Sequence, residues 1–511
     1  MTLRPYRPRR RALVVGAGIA GLLTARVLAD TFAEVEVLEQ DVLPTTPVQR
    51  PGVAQGHHVH GLTARGAEVM ERLFPGLEGQ LAAAGAPGGD FGQIVAFRFP
   101  DCWSPRVPTG IPLQTFSRPL LETHLRHRLT ALDRIRVRDG VRVTGLTGSP
   151  THVTGVRVRI RTAATTVTPD GPTVPPDGLS TTDDVLPADL VVVANGRTTH
   201  LPDWLAALGL DRPQRTIIDA RVGYASRLYA ISDSAAPPWA AAMELLQAPY
   251  VRRGFMATRI EGDRLLVTLQ GAAGDHPPRD PDGFTAFAES LHTPLADLLA
   301  RLDPVSSVRT YAHCANQRTH YHRLPHWPGG LLALGDAVCA FNPLYGQGMG
   351  IAAIAADLLH TMLARRTHHA HHAHLCDGDF TRAYQRRLAR LTHRPWMMST
   401  LQDRGWQPDP TSDRAARATG ALLPVVQQAM SDNPEVFRRF LAAMHMTRSS
   451  AVLLHPRAVL PVVTTAIRPG RTKPDAPHLW WGHTPHTPTG PGTPTTQAPP
   501  TPPTAPPPRT P

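Results

Sequence analysis

The stretch from Arg11 to Gln40 reads RALVVGAGIAGLLTARVLADTFAEVEVLEQ. Ala12–Val15 is a continuous apolar run, which is typical of a strand buried in a parallel sheet. From Leu22 to Leu28, apolar residues recur with the spacing of one helix face. Val35–Glu39 is a second strand-like run, and it ends in an acid. The stretch is therefore predicted to form a strand–helix–strand unit with parallel strands.

Glycines follow the pattern GxGxxG between the first strand and the helix. Gly16 permits a tight turn, Gly18 lets the backbone approach a pyrophosphate, and Gly21 lets the helix pack closely on the strand. Ala17 lies in the same turn, where the N–H groups of the helix N-terminus can bind phosphate. Glu39 is placed to accept hydrogen bonds from a ribose without a 2′-phosphate. These residues predict a dinucleotide site but do not separate NAD from FAD.

A second glycine-rich segment, GDAVCAFNPLYGQGMG, spans residues 335–350 and follows another apolar run. Asp336 can accept a hydrogen bond from a ribityl hydroxyl of a flavin. The backbone N–H groups around Gly346, Gln347, Gly348 and Met349 can face a flavin carbonyl or a phosphate, because the glycines carry no Cβ. The same residues also suit an ordinary glycine-rich turn that caps a helix, so both interpretations stay open on this segment alone.

Periodicity predicts the remaining elements. Helices are expected over 118–132, 349–365 and most of 379–460. Alternation of apolar and polar residues predicts antiparallel strands over 135–146 and 154–162. The same alternation occurs over 217–230, 254–260 and 264–269, where it predicts a sheet inserted between the nucleotide-binding pieces. A long loop is expected over 163–187, which is rich in Thr, Pro and Asp.

Proline is unevenly distributed along the 511 residues. The chain has 53 prolines, and 12 of them lie in Thr484–Pro511, where no large apolar side chain occurs. That segment cannot bury a core of its own, so a disordered, polyproline-like tail is predicted. The whole chain is 41% hydrophobic, enough for a sizeable core.

The net charge of +12 comes almost wholly from arginine, because Lys473 is the single lysine. The arginines are scattered, with one dense run at Arg4–Arg11, and no nucleic-acid-binding motif accompanies them. Codon bias of a high-GC genome explains this excess better than nucleic-acid binding does, and the dense run suits a solvated arm.

Four cysteines without a CxxC pair predict a reduced, cytoplasmic protein rather than a disulfide scaffold. The N-terminus lacks a cleavage-site pattern, and the apolar stretch Met349–Leu363 is too short to span a membrane. The histidine-rich residues 368–374 fit a solvated linker better than a metal site, so no metal is predicted. His57, His58 and His60 suit structural roles better than acid–base roles, and no catalytic residue is assigned.

The two glycine motifs together resemble the FAD-dependent monooxygenases of the aromatic-hydroxylase and squalene-epoxidase type. Further segments are most similar to bacterial epoxidase-like flavoproteins that act on polyketide and polyether precursors, and the resemblance spans about residues 11–465. Those segments are QGHHVHGLTARG (55–66), SRPLLETHLRHR (117–128), ANGRTTHLPDWLAALG (194–209), YASRLY (224–229) and NPEVFRRFLAAMHM (433–446).

The resemblance implies an α/β fold whose Rossmann-like FAD-binding domain is discontinuous. Its expected pieces are residues 11–90, 115–215 and 315–372, with a mixed antiparallel substrate-binding sheet inserted over 91–114 and 216–314. A helical C-terminal region over 373–467 and a Pro-rich tail over 468–511 complete the expected organisation.

The resemblance also implies the cofactor contacts. Gly16, Gly18, Gly21 and Glu39 would bind the ADP half of FAD, and Arg118 would reach the flavin side. Asp336 would hold the ribityl chain, and Gly346–Met349 would lie over the pyrimidine ring of the isoalloxazine. Two departures are Asn195-Gly196-Arg197, where many relatives carry Asp-Gly or Ser-Gly-Arg, and His57, where relatives often carry Arg.

The chemistry that the resemblance implies is transfer of one oxygen atom from O₂ to a lipophilic alkene or aromatic substrate. A C4a-hydroperoxyflavin would deliver that atom, after reduction of FAD by NAD(P)H, either directly or through a flavin reductase. Epoxidation or hydroxylation in secondary metabolism is the expected setting.

Three alternatives to this activity stay open, and two other flavoprotein activities are disfavoured by the sequence. A flavin-dependent reductase of isoprenoid double bonds and a flavin-binding protein without turnover remain alternatives, as does an interaction protein that works through its Pro-rich tail. Halogenation is disfavoured, because the single lysine, Lys473, stands at the start of the tail and no WxWxIP pattern occurs. The chain has no second GxGxxG unit and no CxxC pair, which disfavours disulfide-reductase-type flavoproteins.

Overall fold

The computed structural model describes residues 10–163, 166–168, 171–173, 179–232, 235–369, 376–406, 414–467 and 480. The strands are β1 (Arg11–Val15), β2 (Glu34–Leu38), β3 (Gly88–Asp90), β4 (Val95–Arg98), β5 (Pro112–Gln114), β6 (Ile135–Arg138), β7 (Val141–Gly148), β8 (Val153–Ala163), β9 (Thr166–Thr168), β10 (Gly171–Thr173), β11 (Leu179–Pro187), β12 (Leu190–Val193), β13 (Arg215–Ile218), β14 (Gly223–Ala230), β15 (Ala241–Glu244), β16 (Arg253–Ile260), β17 (Arg264–Gly271), β18 (Asp303–Pro304), β19 (Arg309–Tyr311), β20 (Asn316–Thr319), β21 (Leu331–Ala333) and β22 (Cys339–Ala340).

The helices are α1 (Ile19–Leu28), α2 (Ala64–Leu73), α3 (Leu77–Ala83), α4 (Phe91–Ile94), α5 (Arg118–Thr130), α6 (Leu201–Ala207), α7 (Pro281–Glu289), α8 (Leu295–Leu299), α9 (Gly348–His369), α10 (Gly378–Leu391), α11 (His393–Arg404), α12 (Arg414–Asp432), α13 (Pro434–Met444) and α14 (Pro456–Ile467). No helix of the described chain is long and apolar enough to cross a membrane.

A five-stranded parallel sheet, ordered β21-β12-β1-β2-β6, forms the first layer. Most side chains of its central strands are apolar and buried, because α1 packs on them and the antiparallel strands β7, β8 and β11 join the same core. α9 crosses α1 and α2 and completes the layer. The predicted strand–helix–strand unit and the α/β fold class are thus confirmed.

The second sheet has seven strands in the order β18-β14-β17-β16-β15-β4, with β19 also paired to β14. All its pairs are antiparallel except β15 with β4. Alternate side chains of β14, β16 and β17 point into a core that α7 and α8 cover. This sheet is the inserted, mixed antiparallel layer that was predicted.

The C-terminal helices bridge the two layers. α10 packs on β21 and α9, whereas α11 contacts the small sheet formed by β13, β20 and β22. α12 and α13 share a core with Phe97 of β4 and with Phe99, which follows that strand, and both rings are buried in one cluster with Phe437. The helical region therefore holds the inserted sheet against the parallel one.

Two local predictions were wrong. The expected loop over 163–187 contains β11, which pairs along its length with β8, placing Val156 opposite Leu186. Thr-, Asp- and Pro-rich composition is typical of a loop, but the backbone hydrogen bonds to β8 stabilise this segment as a strand. Residues 135–146 do not form one antiparallel strand either. β6 joins the parallel sheet, and Gly140, at φ 64°, turns the chain into β7.

Trp480 corrects the boundary of the predicted tail. It lies within 468–511, yet its indole is 1% exposed, with ring centroids 5.1 Å from Trp239 and 6.0 Å from Phe255. The core behind the seven-stranded sheet therefore includes a residue from beyond the last helix. The rest of that range lies outside the described residues, as do residues 1–9 and 370–375.

Candidate functional site

The GxGxxG turn has the backbone geometry that its glycines permit. Gly16 has φ 103°, and a Cβ built there would lie 2.8 Å from the Ala194 carbonyl oxygen. A Cβ on Gly21 would overlap the carbonyl oxygen of Gly16. Gly18 caps α1 without a side-chain hydrogen bond, so the first N–H groups of the helix stay available to a ligand.

Glu39 follows β2 and turns its carboxylate back to the glycine turn. Its Oε2 accepts a hydrogen bond from the Ala17 N–H at 2.8 Å, and its Oε1 accepts one from the Asp41 N–H at 3.1 Å. The side chain is buried. The structure thus brings Glu39 to the turn, as the sequence predicted.

Arg50 is a buried residue of this site that the sequence analysis missed. Its guanidinium lies 3.2 Å from Glu39, 2.9 Å from Asp41 and 3.3 Å from Glu122. Burial disfavours its charge, but Glu122, Glu39 and Asp41 outweigh that effect and raise the pKa of Arg50. Its position in a loop carries no local pattern that could have identified it.

Arg118 connects the two glycine motifs. It is the first residue of α5, and its Nε donates to Glu122 Oε1 at 2.8 Å. Its Nη2 lies 3.9 Å from where a Cβ on Gly18 would be, and its Nη1 lies 3.5 Å from His60 Nε2. Burial raises the pKa of Asp336, and the charges of Arg197 and Arg118 oppose that rise. Asp336 therefore lies within the field of Arg118, beside the first motif.

The second glycine motif borders open space. Gly346 has φ 61° and ends a short 3₁₀ turn, and Gly348 begins α9. No described atom lies within 4 Å of a Cβ built on Gly348. Gln347 is buried, and its Oε1 finds no hydrogen-bond partner in the part of the chain that the structure describes. Met349 is buried in the core that contains α9.

Polar side chains occupy the face of the seven-stranded sheet that lies opposite its apolar core. Tyr224 stands opposite Gln270, and Ser226 stands opposite Thr268. On the opposite edge of β14 from β17, Tyr311 of β19 stands opposite Tyr224. Directly opposed residues of antiparallel strands share a face, so these five side chains form one patch, which we call the polar patch.

His58 lies on the polar patch. Its ring centroid is 5.8 Å from that of Tyr224 and 5.7 Å from that of Tyr311. Burial lowers the pKa of His58 to about 4, and burial together with Arg118 lowers the pKa of His60 to about 3. Burial and Arg309 also lower the pKa of His57. These histidines are therefore neutral at pH 7.

A buried hydrogen-bond network centred on Asp403 holds the loop before Gly346. Asp403 on α11 accepts hydrogen bonds from Asn316 at 2.6 Å, Asn342 at 2.9 Å and the Tyr345 hydroxyl at 2.6 Å. Burial raises the pKa of Asp403 to about 6, against the effect of these donors. Sequence reasoning assigned only a helix here, because the network joins residues that are far apart in the chain.

A comparison with known proteins decides the relationship. The protein Rv3254 of Mycobacterium tuberculosis is 32% identical over 417 residues, which cover 79% of this chain and 82% of Rv3254. The chain belongs to the Rv3254 family. No family model matches the sequence.

Solved structures show that this member of the Rv3254 family has the fold of FAD-dependent monooxygenases. PqsL, a probable FAD-dependent monooxygenase from Pseudomonas aeruginosa, superposes with a TM-score of 0.56 at 15% identity, covering 80% of this chain and 98% of PqsL. 2-Methyl-3-hydroxypyridine-5-carboxylic acid oxygenase gives 0.54 at 18% identity, covering 81% and 93%. The flavin-dependent brominase Bmp2 also gives 0.54, at 16% identity, covering 80% and 93%. The predicted fold family is confirmed.

Proposed function

We propose that the chain is an FAD-dependent monooxygenase that transfers one oxygen atom from O₂ to a lipophilic alkene or aromatic substrate. The observation that carries this proposal is the meeting of two distant motifs. A Cβ on Gly335 would lie 2.8 Å from the Ala20 Cβ, so the segment that begins at Gly335 lies beside α1. Arg118 lies close to Gly18, and its charge acts on Asp336. One elongated cofactor can contact both motifs at once.

The residues present suit FAD. Gly16, Ala17, Gly18, Gly21 and Glu39 would hold its ADP half, because the N-terminus of α1 has no side-chain cap and Glu39 supplies a buried carboxylate. Arg118 and Asp336 would hold the middle of the cofactor. Gly346, Gln347, Gly348 and Met349 would lie against the flavin, where the space in front of Gly348 is open and Gln347 Oε1 lacks a partner among the described residues.

When bound, the flavin supplies the activation of O₂ for oxygen transfer. The chain would contribute binding and orientation of the flavin and of the substrate. No side chain is assigned as an acid or a base. We further propose NAD(P)H as the electron donor, directly or through a flavin reductase, and an epoxidase-like role in cytoplasmic secondary metabolism. We also propose that residues 11–90, 115–215 and 315–372 form the FAD-binding domain, with the inserted sheet and the helical region bounded as predicted from the sequence.

Flavin analysis and oxygen uptake test the function. The purified protein should be yellow and should release FAD when it is denatured. NAD(P)H oxidation, with a flavin reductase added in a parallel reaction, should consume O₂ and increase with a lipophilic alkene. A colourless protein would refute the proposal. Anaerobic saturation of an isoprenoid double bond would instead support the reductase, and bound FAD without any turnover would support a flavin-binding protein.

A further inference from the structure

Two buried polar groups at the polar patch, on His58 and Tyr224, lack hydrogen-bond partners among the described residues. His58 is 3% exposed and Tyr224 is 5% exposed. Within the described chain, neither His58 Nε2 nor the Tyr224 hydroxyl has a hydrogen-bond partner. Buried polar groups are nearly always paired in folded proteins, so two such groups on adjacent rings indicate a place where a ligand supplies the partner.

A chain of hydrogen bonds favours one of the two neutral forms of the His58 ring. Thr268 Oγ1 accepts from the Val59 N–H at 2.9 Å and lies 2.6 Å from Ser226 Oγ. Among the described residues, Ser226 Oγ is the only hydrogen-bond acceptor for the Thr268 hydroxyl proton. Pairing both buried hydroxyl protons therefore requires that Thr268 donates to Ser226 and that Ser226 donates to His58 Nδ1, 2.7 Å away. Nδ1 accepts, so neutral His58 carries its proton on Nε2, and the unpartnered atom is a donor.

Tyr224 is also a donor. Burial raises its pKa well above the usual value, so the hydroxyl keeps its proton at neutral pH. Neighbouring Tyr311 is already engaged, because its hydroxyl accepts from Gln55 Nε2 at 3.0 Å. Gln270 Oε1, directly opposite Tyr224, is a third buried atom without a partner among the described residues. The polar patch thus offers two donors and one acceptor.

The same short segment joins the polar patch to the proposed cofactor site. The Val59 N–H binds Thr268 on the sheet, whereas His60 Nε2 lies 3.5 Å from Arg118. Next along the chain, a Cβ on Gly61 would lie 3.5 Å from the Cα of Gly346. A ligand held by His58 therefore lies beside the residues proposed to hold the flavin.

We infer that the substrate carries a hydrogen-bond-accepting oxygen, such as a ketone carbonyl, which His58 Nε2–H and the Tyr224 hydroxyl bind. This inference rests on the proposed function, and it narrows the substrate class from any lipophilic alkene to an oxygenated one. A pure hydrocarbon would leave both donors buried and unpaired, which a site of this kind discriminates against. His58 would act here as a binding residue that donates a hydrogen bond from Nε2–H, and not as an acid or a base.

Matched probes of equal shape test the inference. Acetophenone and isopropenylbenzene differ only by C=O in place of C=CH₂, as do benzophenone and gem-diphenylethylene. Binding of each probe to the oxidised, FAD-loaded protein is measured by calorimetry, without turnover. We expect at least one ketone to bind about tenfold or more tightly than its hydrocarbon counterpart.

Variants locate the preference. Tyr224→Phe removes a hydroxyl that has no described partner, so it should fold and keep its flavin while the ketone preference falls about tenfold. His58→Leu should lower the preference further. Tyr229→Phe, which removes a hydroxyl from a buried tyrosine at the other end of β14, should bind both probes as the unmodified protein does.

The outcomes separate the two proposals. A protein without FAD would refute the proposed function. An FAD-loaded protein that treats both members of every pair alike, including one that binds neither, would overturn the inference alone. A ketone preference that survives in Tyr224→Phe and His58→Leu would overturn it as well.

Discussion

At the scale of single residues, Arg50 is the counter-ion of three buried or nearly buried carboxylates beside the glycine turn. Replacing it with methionine keeps much of the side-chain volume but leaves Glu39, Asp41 and Glu122 without their shared cation. We expect Arg50→Met to lower the free energy of unfolding by about 3–5 kcal/mol, measured by urea denaturation. Loss of bound FAD should accompany it, because Glu39 loses its support.

Arg26→Met is the matched control for Arg50→Met. Arg26 pairs with Asp30 one helical turn away, and both side chains are partly exposed to water. Its replacement should cost less than about 1 kcal/mol. Equal losses in the two variants would show that the buried ion pairs contribute nothing specific.

His445 gives the protein a pH dependence with a definite sign. Its Nδ1 accepts a hydrogen bond from the Ala64 N–H at the start of α2, and burial lowers its pKa to about 4. The folded state favours neutral His445, so its contribution is complete above the ordinary pKa of about 6.5 and is lost as pH falls toward 4. That loss amounts to roughly 3 kcal/mol.

His445→Gln keeps an acceptor but does not titrate, so its free energy of unfolding should fall less between pH 7 and 4 than that of the unmodified protein. The variant and the unmodified protein must be compared, because Asp403 changes the free energy of unfolding with pH in the direction opposite to His445. Its pKa is raised to about 6, so its contribution to stability grows as pH falls from 6 to 4. Parallel pH profiles for the two proteins would contradict the prediction. Exposed His200→Gln serves as the control.

At the scale of elements, α2 and α9 cross at two glycines. A Cβ on Gly66 would lie 2.6 Å from the Cα of Gly350, and a Cβ on Gly350 would overlap Thr63 Oγ1. Gly66→Ala should therefore lower the free energy of unfolding by about 1–3 kcal/mol, despite the better helix propensity of alanine. Thermal denaturation measures the change.

Gly420→Ala is the control for that crossing. Gly420 lies within α12, and no described atom is within 4 Å of a Cβ built there. Helix propensity acts alone at this position, so the substitution should stabilise the protein by about 0.5–1 kcal/mol. Destabilisation by both alanines would argue against close packing of α2 on α9.

Elements with local signals could be predicted from the sequence, and elements that depend on a partner could not. β1, α1 and β2 are encoded by one continuous stretch with apolar periodicity, so their pairing was predictable. β11 depends on β8 for its register, and its Thr, Asp and Pro content resembles a loop. Likewise, the contact between His58 and Ser226 joins residues 168 positions apart, and no spacing rule reaches that far.

At the scale of the whole molecule, Trp480 ties the end of the described chain to the core behind the seven-stranded sheet. Trp480→Ala should lower the free energy of unfolding by about 3–5 kcal/mol, because it leaves a cavity beside Trp239 and Phe255. Urea denaturation of the full-length chain measures the loss.

Two truncations separate Trp480 from the Pro-rich segment that follows it. Removal of Thr484–Pro511 should leave stability and flavin content unchanged, whereas removal of everything after Ile467 should reproduce the loss seen in Trp480→Ala. If the shorter truncation were equally harmful, the Pro-rich segment would have a structural role of its own. Burial of Trp480 could not be predicted, because the pair Trp480-Trp481 beside a Pro-rich segment has no periodicity.

The parallel sheet has a consequence for synthesis of the chain. Ala12 pairs with Leu190, so one edge of β1 has no partner until nearly 180 further residues have left the ribosome. At about 5–20 residues per second, the nascent unit of β1, α1 and the parallel strand β2 keeps one unpaired strand edge for roughly 10–35 seconds. Slow translation lengthens that interval, and a chaperone that binds apolar strands would protect the unpaired edge of β1 from aggregation. The strand order of the parallel sheet therefore leaves the nascent chain with an unpaired strand edge, which is a site for aggregation.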